Sequence, residues 1–346
     1  MKRFLLIVFI VLFVGAALVA WTVVGPGTGF ESKKEVLYIR TNAATKGAVM
    51  DSLLNNRIIT NETMFTFLAD RMNYWRSIKP GKYEISKGSS LLSIVRKLRN
   101  GQQTPVNLVI TKLRTKEDLS RLVGRRFECD SAQMMAYLDE NEYFKKHNID
   151  PEQAMTFVLP DTYTYFWNTT PERIFEKIVA ASEKFWTEER KKKAEQLGLT
   201  PTQAYILASI VEEESNKLEE KDTIASVYLN RIRIGMPLQA DPTVKFALKD
   251  FALTRIYGDH LNAESAYNTY RNRGLPPGPI CTPSRQTIDA VLAAPPTKYI
   301  YFVASKALNG THVFSNTYTE HMVKAREYQQ AYKDWITAKN ANSATP

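Results

Sequence analysis

The chain has 346 residues, 24% charged and 44% hydrophobic, which excludes a disordered or fibrous protein and allows about two folded domains. Phe4 to Val24 is free of charge, with Thr22 its only side-chain hydroxyl, whereas the rest has water-soluble polarity, so a polytopic membrane protein is excluded. Two cysteines, Cys129 and Cys281, are too few for a disulfide scaffold and are expected to be buried thiols, with a single disulfide in the exported part as the alternative. The four histidines, His147, His260, His312 and His321, show no i,i+4 metal spacing, so neither a metal nor another cofactor is expected.

The first predicted element is a membrane span, because an apolar helix of this length covers a hydrocarbon core of about 30 Å at about 1.5 Å per residue. Lys2 and Arg3 precede it, which keeps the short end cytoplasmic and exports the remainder. A cleaved signal peptide is the rival, with Gly15-Ala16-Ala17 as a cleavage site; the run continues to Val24 and includes Trp21, which favours retention. The expected location is the inner (cytoplasmic) membrane, single-pass, with the bulk of the chain on the periplasmic or extracytoplasmic side. Net charge is +10, and without Lys2 and Arg3 there remain 44 basic against 36 acidic residues, or +8. Such a surface suits anionic partners such as cell-wall polymer or lipid headgroups. With Lys and Arg spread along the chain, an ordinary solvated surface explains it as well. Compartment and the lack of a nucleic-acid motif exclude nucleic acid as an expected partner.

Gly25 to Glu35 reads as a tether. Val36 to Ile39 is a predicted strand, followed by a helix near Lys46 to Asn55 with Val49, Leu53 and Leu54 on one side. A second helix starts after the capping residue Asn61 and runs through Phe65, Phe67, Leu68 and Met72; Pro80-Gly81 then turns into a strand at Lys82 to Ile85. Ser89 or Ser90 caps a helix ended by Asn100-Gly101. Val106, Leu108 and Ile110 alternate as a strand, Thr115 with Asp118 opens a helix, and helical character continues to about Lys146. Near the C-terminus, Tyr299 to Ala304 and Thr311 to Ser315 flank Asn309-Gly310 as a hairpin, before a helix from about Thr319 to Ala338.

The chemistry is expected where Thr200-Pro201 opens a helix with a hydroxyl cap and a first-turn proline. At about 100° per residue, Ile206, Leu207, Ile210 and Val211 average about 70°, and Glu212, Glu213 and Glu214 fall near about 240°, 340° and 80°. Only Glu214 shares the apolar side. A carboxyl there is desolvated and its pKa is pushed up, as a general acid at neutral pH requires, unless it pairs with a buried cation such as Arg231 or the helix ends before it. Replacing Glu212 or Glu213 is expected to be far milder. Beyond a resumed helix from Asp222 to Arg233, the stretches Gly235 to Thr243, Tyr267 to Tyr270 and Gly274 to Ile280 read as stiff polar loops that could hold hydroxyl- and amide-binding side chains.

In order, Ala208-Ser209-Ile210-Val211-Glu212-Glu213-Glu214, Asn230-Arg231, Gln239-Ala240-Asp241-Pro242-Thr243-Val244, Tyr267-Asn268-Thr269-Tyr270 and Gly274-Leu275-Pro276-Pro277-Gly278 resemble the endolytic murein transglycosylase family (MltG/YceG-like). Tyr299 to Ala304 and His312-Val313-Phe314 continue the resemblance, and Pro80 to Tyr83 with Leu91 to Gly101 resembles its LysM-like N-terminal module. The family pattern has a basic residue between its glutamates where this chain has Glu213. The resemblance implies an α+β protein with a transmembrane anchor at 1–25, a LysM-like βααβ module at 26–112 and a lysozyme-related, mostly helical catalytic domain with β additions at 113–340. It implies a lytic transglycosylase that cuts the MurNAc–GlcNAc bond within peptidoglycan glycan strands, leaves 1,6-anhydro-MurNAc ends and so limits nascent strands. Its partners would be glycan strands and membrane-bound peptidoglycan synthases. Glu214 falls on the family's catalytic glutamate, and Glu214-Ser215 is similar to the Glu-Ser pair of other lytic transglycosylases. Gln239, Asp241, Thr243, Tyr267 and Asn268 are the candidates for positioning sugar. Two alternatives stay open: a hydrolytic muramidase with Asp241 as second carboxylate, and a non-catalytic glycan-binding scaffold for cell-wall synthases.

Overall fold

The computed structural model describes residues 2–139, 144–145 and 150–343. Helix α1, Lys2–Val24, is apolar from Phe4 onward, has no fully buried residue, and at about 34 Å is long enough to cross a membrane. The rest is mixed helix and sheet. Among the described residues its sheets are three separate pairs of strands. Two compact units form, one from Met1–Leu108, Leu122–Ser131 and Thr164–Pro171, the other from Val109–Arg121, Ala132–Tyr163 and Glu172–Pro346.

In the first unit the order is β1 (Lys34–Ile39), α2 (Lys46–Asn55), α3 (Glu62–Arg71), β2 (Gly81–Ser86) and α4 (Leu91–Asn100). The strands are antiparallel, from Lys34 opposite Ser86 to Ile39 opposite Gly81, and alternation sends Leu37, Ile39, Tyr83 and Ile85 into one core. On α4, Leu91, Ile94, Val95 and Leu98 are buried at helical spacing, each worth about 1.5–3 kcal/mol. Ser90 caps its start by accepting from the Ser93 amide, and Gly101, at φ +65°, closes it in the left-handed conformation. On α2, however, Met50 takes the inward place expected of Leu54, and on α3 Phe67 is exposed beneath the Arg71 guanidinium.

The predicted tether is part of this fold. Gly27 donates to Ser89 O and its carbonyl accepts from the Thr60 amide, both at 3.0 Å, while Phe30 is buried. A Cβ on Gly27 would stand 2.8 Å from the Leu91 side chain, so its glycine serves close approach rather than flexibility.

After β3 (Val106–Ile110) come α5 (Lys116–Gly124) and α6 (Ser131–Asp139); the remaining end of the predicted helical region, at Lys146, lies outside the described residues, as does His147. The Asp118 carboxylate accepts from the Arg114 and Thr115 amides while Thr115 Oγ accepts from the Asp118 amide, as the sequence signalled. Next follow β4 (Asp161–Tyr165), α7 (Pro171–Phe185), α8 (Glu188–Gln196), α9 (Pro201–Glu214), α10 (Leu218–Arg233), α11 (Asp241–Leu248), α12 (Arg285–Leu292), β5 (Tyr301–Ala304), β6 (His312–Ser315) and α13 (Tyr318–Ser343). The core of the second unit surrounds α9, in which every residue from Ala204 to Val211 is buried. Thr200 and Gln203 form a reciprocal capping box at its start, with Pro201 in the first turn. The single apolar side assumed from the sequence is therefore absent: α9 is central, and all three glutamates emerge from the core together. Both cysteines are buried free thiols.

Candidate active site

The three glutamates at the end of α9 meet different surroundings. Glu212 accepts from Lys221 Nζ at 2.9 Å, from Ser284 Oγ at 3.2 Å and from Thr287 Oγ1. Burial pushes its carboxyl up, but the Thr287 and Lys221 bonds and the lysine charge outweigh this and leave it below the ordinary value. Glu213 reaches Lys112 at 2.8 Å and Arg114 at 2.9 Å, and these cations likewise overcome burial and hold it low. Glu213 thus brings two cations to its own neighbourhood.

Glu214, the last helical residue, forms no ion pair among the described residues. Its Oε1 accepts from the hydroxyl of Tyr228, a fully buried residue of α10, at 2.6 Å. Desolvation raises its pKa from 4.5 to about 7, against the Tyr228 hydrogen bond; the charge of Asp241 adds to the rise, and Arg231 and Lys245 oppose it. At neutral pH the group is poised between acid and base.

Glu214 lines a cavity of about 320 Å³ with Arg231, Gln239, Asp241, Tyr270, Tyr301, Phe302, Tyr318 and His321. Arg231, an alternative partner for Glu214 on sequence grounds, instead donates from Nε to Ile300 O at 2.7 Å and from Nη1 to Leu238 O. Its neighbour Asn230 donates to Thr297 O at 3.0 Å and Tyr299 O at 2.8 Å. The Asn-Arg pair therefore ties the chain entering β5, and the segment before Gln239, to α10. Tyr301 lies beneath the Arg231 guanidinium at 5.6 Å and stacks on His321 at 5.2 Å.

The structure brings Gln239 and Asp241 to this cavity but not Thr243, Asn268 or Tyr267. Asp241 begins α11 rather than lying in a loop; Pro242 in the first turn and an acidic residue at the N-terminus were signals of that helix in the sequence. Its carboxylate accepts from Tyr270 Oη at 2.6 Å. Gln239 has φ +51°, a left-handed conformation costing a residue with a side chain about 1 to 3 kcal/mol. Its amide is held by Thr269 O at 3.1 Å. Thr243 is fully buried, donating to Ala240 O and sharing a hydrogen bond with Thr269 Oγ1. Asn268, also fully buried, donates to Leu261 O and Ala263 O and accepts from the Tyr270 amide. These two residues shape the loops that carry Gln239, Asp241 and Tyr270. Tyr267 donates to Glu152 at 3.0 Å in a different cavity of about 260 Å³. Ser215 is buried, its hydroxyl donating to Glu220, which also binds the His312 amide and ring Nδ1 at 2.8 Å. Ser215 thus helps anchor β6 rather than line the cavity.

Tyr228, Tyr318 and His321 were missed. Nothing in the resumed helix singles out Tyr228, and no local pattern marks Tyr318 or His321, since their place depends on packing α13 against the β5–β6 hairpin.

A part-buried carboxyl with no ion pair among the described residues, in an aromatic-walled cavity, has the chemistry an acid–base site needs, and the comparisons give the family. The YceG-like family model matches residues 37–327, and the chain belongs to that family. An endolytic murein transglycosylase of Bacillus subtilis is 28% identical over 330 residues, covering 90% of this chain and 87% of that protein. One from Streptococcus pneumoniae is 25% identical over 298 residues, covering 76% of this chain and 53% of that protein. The crystal structure of a yceG-like protein from Listeria monocytogenes matches with a TM-score of 0.55 at 26% identity, covering 84% of this chain and 98% of that one.

Proposed function

We propose that this chain is a membrane-anchored endolytic murein transglycosylase, with Glu214 as its one acid–base group. The observation that carries this is the Glu214 carboxyl, raised to about 7 and lining a cavity with Tyr270, Tyr301, Phe302 and Tyr318, whose ring faces suit sugar rings. The names of the two relatives support the same reading.

In this mechanism protonated Glu214 donates its proton to the glycosidic oxygen as the bond from muramic C1 breaks. The substrate's acetamido group stabilises the cationic C1. The muramic C6 hydroxyl oxygen then bonds to C1, and its proton returns to Glu214, so no water is consumed and the acid is regenerated. Tyr228 and the more distant Arg231 stabilise the intervening carboxylate. Gln239, Asp241 and Tyr270 position the sugar, while Thr243 and Asn268 act through the loops they brace.

The proposed organisation is an anchor at 1–25, a LysM-like module at 26–112 and a lysozyme-related catalytic domain at 113–340. The βααβ order of the first unit supports the module, and the central, fully buried α9 bearing Glu214 supports the domain. Cleavage inside nascent strands would limit their elongation beside membrane-bound peptidoglycan synthases. A second reading, a hydrolytic muramidase, is favoured by one observation: Asp241 is a second carboxylate in the same cavity.

Purified full-length protein incubated with uncrosslinked glycan strands, followed by mass analysis, tests the proposal. Strands are expected to shorten with wild type and stay intact with Glu214→Gln. Strands left intact by wild type would instead favour a glycan-binding scaffold.

A further inference from the structure

The positive charge is not spread along the chain as first read. Positions 26–112 hold fourteen Lys and Arg against six Asp and Glu, a net of +8, whereas positions 113–346 hold thirty of each. The whole excess beyond α1 sits in the segment that directly follows it.

That segment is fastened to the end of α1. Val23 packs against the core of the first unit, Gly25 donates to Trp21 O at 2.8 Å, and the Gly27 bonds to Ser89 and Thr60 continue the attachment. Where α1 ends, a cavity of about 490 Å³ opens against α4. Its polar wall includes Ser89, Ser93, Arg96 and Lys97; Val24 and Leu92 are among its apolar residues, and no Asp or Glu lines it. Arg96 is exposed and forms no ion pair among the described residues. Lys97 ends on the Glu84 carbonyl oxygen, and the Glu84 carboxylate is held by Lys34 at 2.5 Å. Guanidinium, ammonium and hydroxyl donors without a competing carboxylate are the chemistry that recognises a phosphate oxyanion. Val24 closes a helix about 34 Å long, so the cavity stands at headgroup depth if that helix spans a core of about 30 Å.

We propose that this cavity binds the phosphate of an anionic phospholipid in the outer leaflet, with the glycerol end against Val24 and Leu92. The site rests on the reading of α1 as a retained span. It would hold the basic unit against the bilayer, so that the protein engages lipid at two places, α1 and this cavity. A soluble anionic polymer could satisfy the charge but would leave the position of the cavity beside Val24 without a role.

The test is native mass spectrometry of the full-length chain in detergent, offered phosphatidylglycerol and phosphatidylcholine in equal amounts. Wild type should retain one phosphatidylglycerol in preference to phosphatidylcholine. Arg96→Gln should weaken that retention about five-fold, the worth of one cation near a lipid surface. Ser93→Glu should weaken it further, placing a carboxylate in the cavity at a helix position where glutamate complements the Ser90 cap, so folding is preserved. Equal retention of both lipids, or unchanged retention in both variants, overturns the site. Binding of soluble polyphosphate with no lipid preference also overturns it, in favour of an anionic polymer. The intact mass in the same spectrum separates the two readings: a chain beginning after residue 18 removes the span and the site together, whereas a full-length chain without lipid preference removes the site alone.

Discussion

The last turn of α9 sends neighbouring carboxylates into two regions built on opposite terms. Around Glu212 and Glu213 the fold supplies Lys221, Lys112 and Arg114, and both acids stay ionised despite burial. Around Glu214 it supplies a phenol and a cavity, with Arg231 turned to carbonyl oxygens, and burial dominates. Burial alone does not mark a candidate acid, because all three residues are part-buried. The absence of a paired cation does.

The sharpest way to break this comparison is to exchange the proposed role. Glu214→Gln keeps the side chain's shape but cannot donate a proton, so strand cleavage should fall by about 10²- to 10⁴-fold in a kinetic assay. Loss of the same size in Glu213→Gln, with Glu214→Gln active, would move the chemistry to Glu213 and overturn the role given to Glu214.

Stability should separate the regions in the other direction. Glu212→Gln strands Lys221, whose side chain is 7% exposed, and breaking such a buried pair should cost about 3–5 kcal/mol in denaturant unfolding of the full chain. Glu213→Gln frees Lys112 and Arg114, 38% and 31% exposed, and should cost about 1 kcal/mol or less. The expectation from sequence that both replacements are far milder than Glu214→Gln concerns strand cleavage and is separate from these stability costs.

Titration sharpens the contrast. A carboxyl raised from 4.5 to about 7 favours the folded state below pH 4.5 and loses that contribution as pH rises to about 7. Wild type should therefore lose about 3 kcal/mol relative to Glu214→Gln across this window, with no further divergence above it. Glu212 and Glu213, held low, contribute stability above pH 4.5 that is lost as pH falls through their folded values. A wild-type and Glu214→Gln difference that is flat with pH would show that Glu214 is not desolvated.

On cleavage itself, a smaller loss than that of Glu214→Gln is expected from Tyr228→Phe. Losing a hydrogen bond to the carboxylate should lower kcat/KM by about 1.5–3 kcal/mol, and because that bond opposes the rise in pKa, the alkaline limb of the pH profile should move upward. A profile that moves down, or does not move, would place the phenol elsewhere in the mechanism.

Elements with local signals were legible in the sequence. The capped helices at Ser90 and Thr200, the alternating strand at Val106 and the Asn309-Gly310 hairpin each carry their instruction within a few residues. Glu214 was also singled out, but on a helical wheel that assumed one buried side. Because α9 is buried all round, the wheel could not foresee that Glu212 and Glu213 are also part-buried and take cations from Lys221 on the next helix and from Lys112, about a hundred residues upstream. The cavity wall was partly hidden for the same reason: Tyr301, Tyr318 and His321 reach Glu214 only through the packing of the C-terminal hairpin and helix. Motif residues Thr243 and Asn268 were visible as a pattern, whereas their work on loop backbone shows only in three dimensions.

The central claim, that one carboxyl suffices, is tested most directly by the chemistry of the new muramic end in oxygen-labelled water. With Glu214 acting alone, the attached C6 hydroxyl outcompetes water, as an intramolecular nucleophile does. Mass analysis should then find a 1,6-anhydro end, lighter than the hydrolytic product by one water, unlabelled and resistant to borohydride. A reducible end carrying solvent oxygen would contradict the claim and make Asp241 the activator of water in a muramidase.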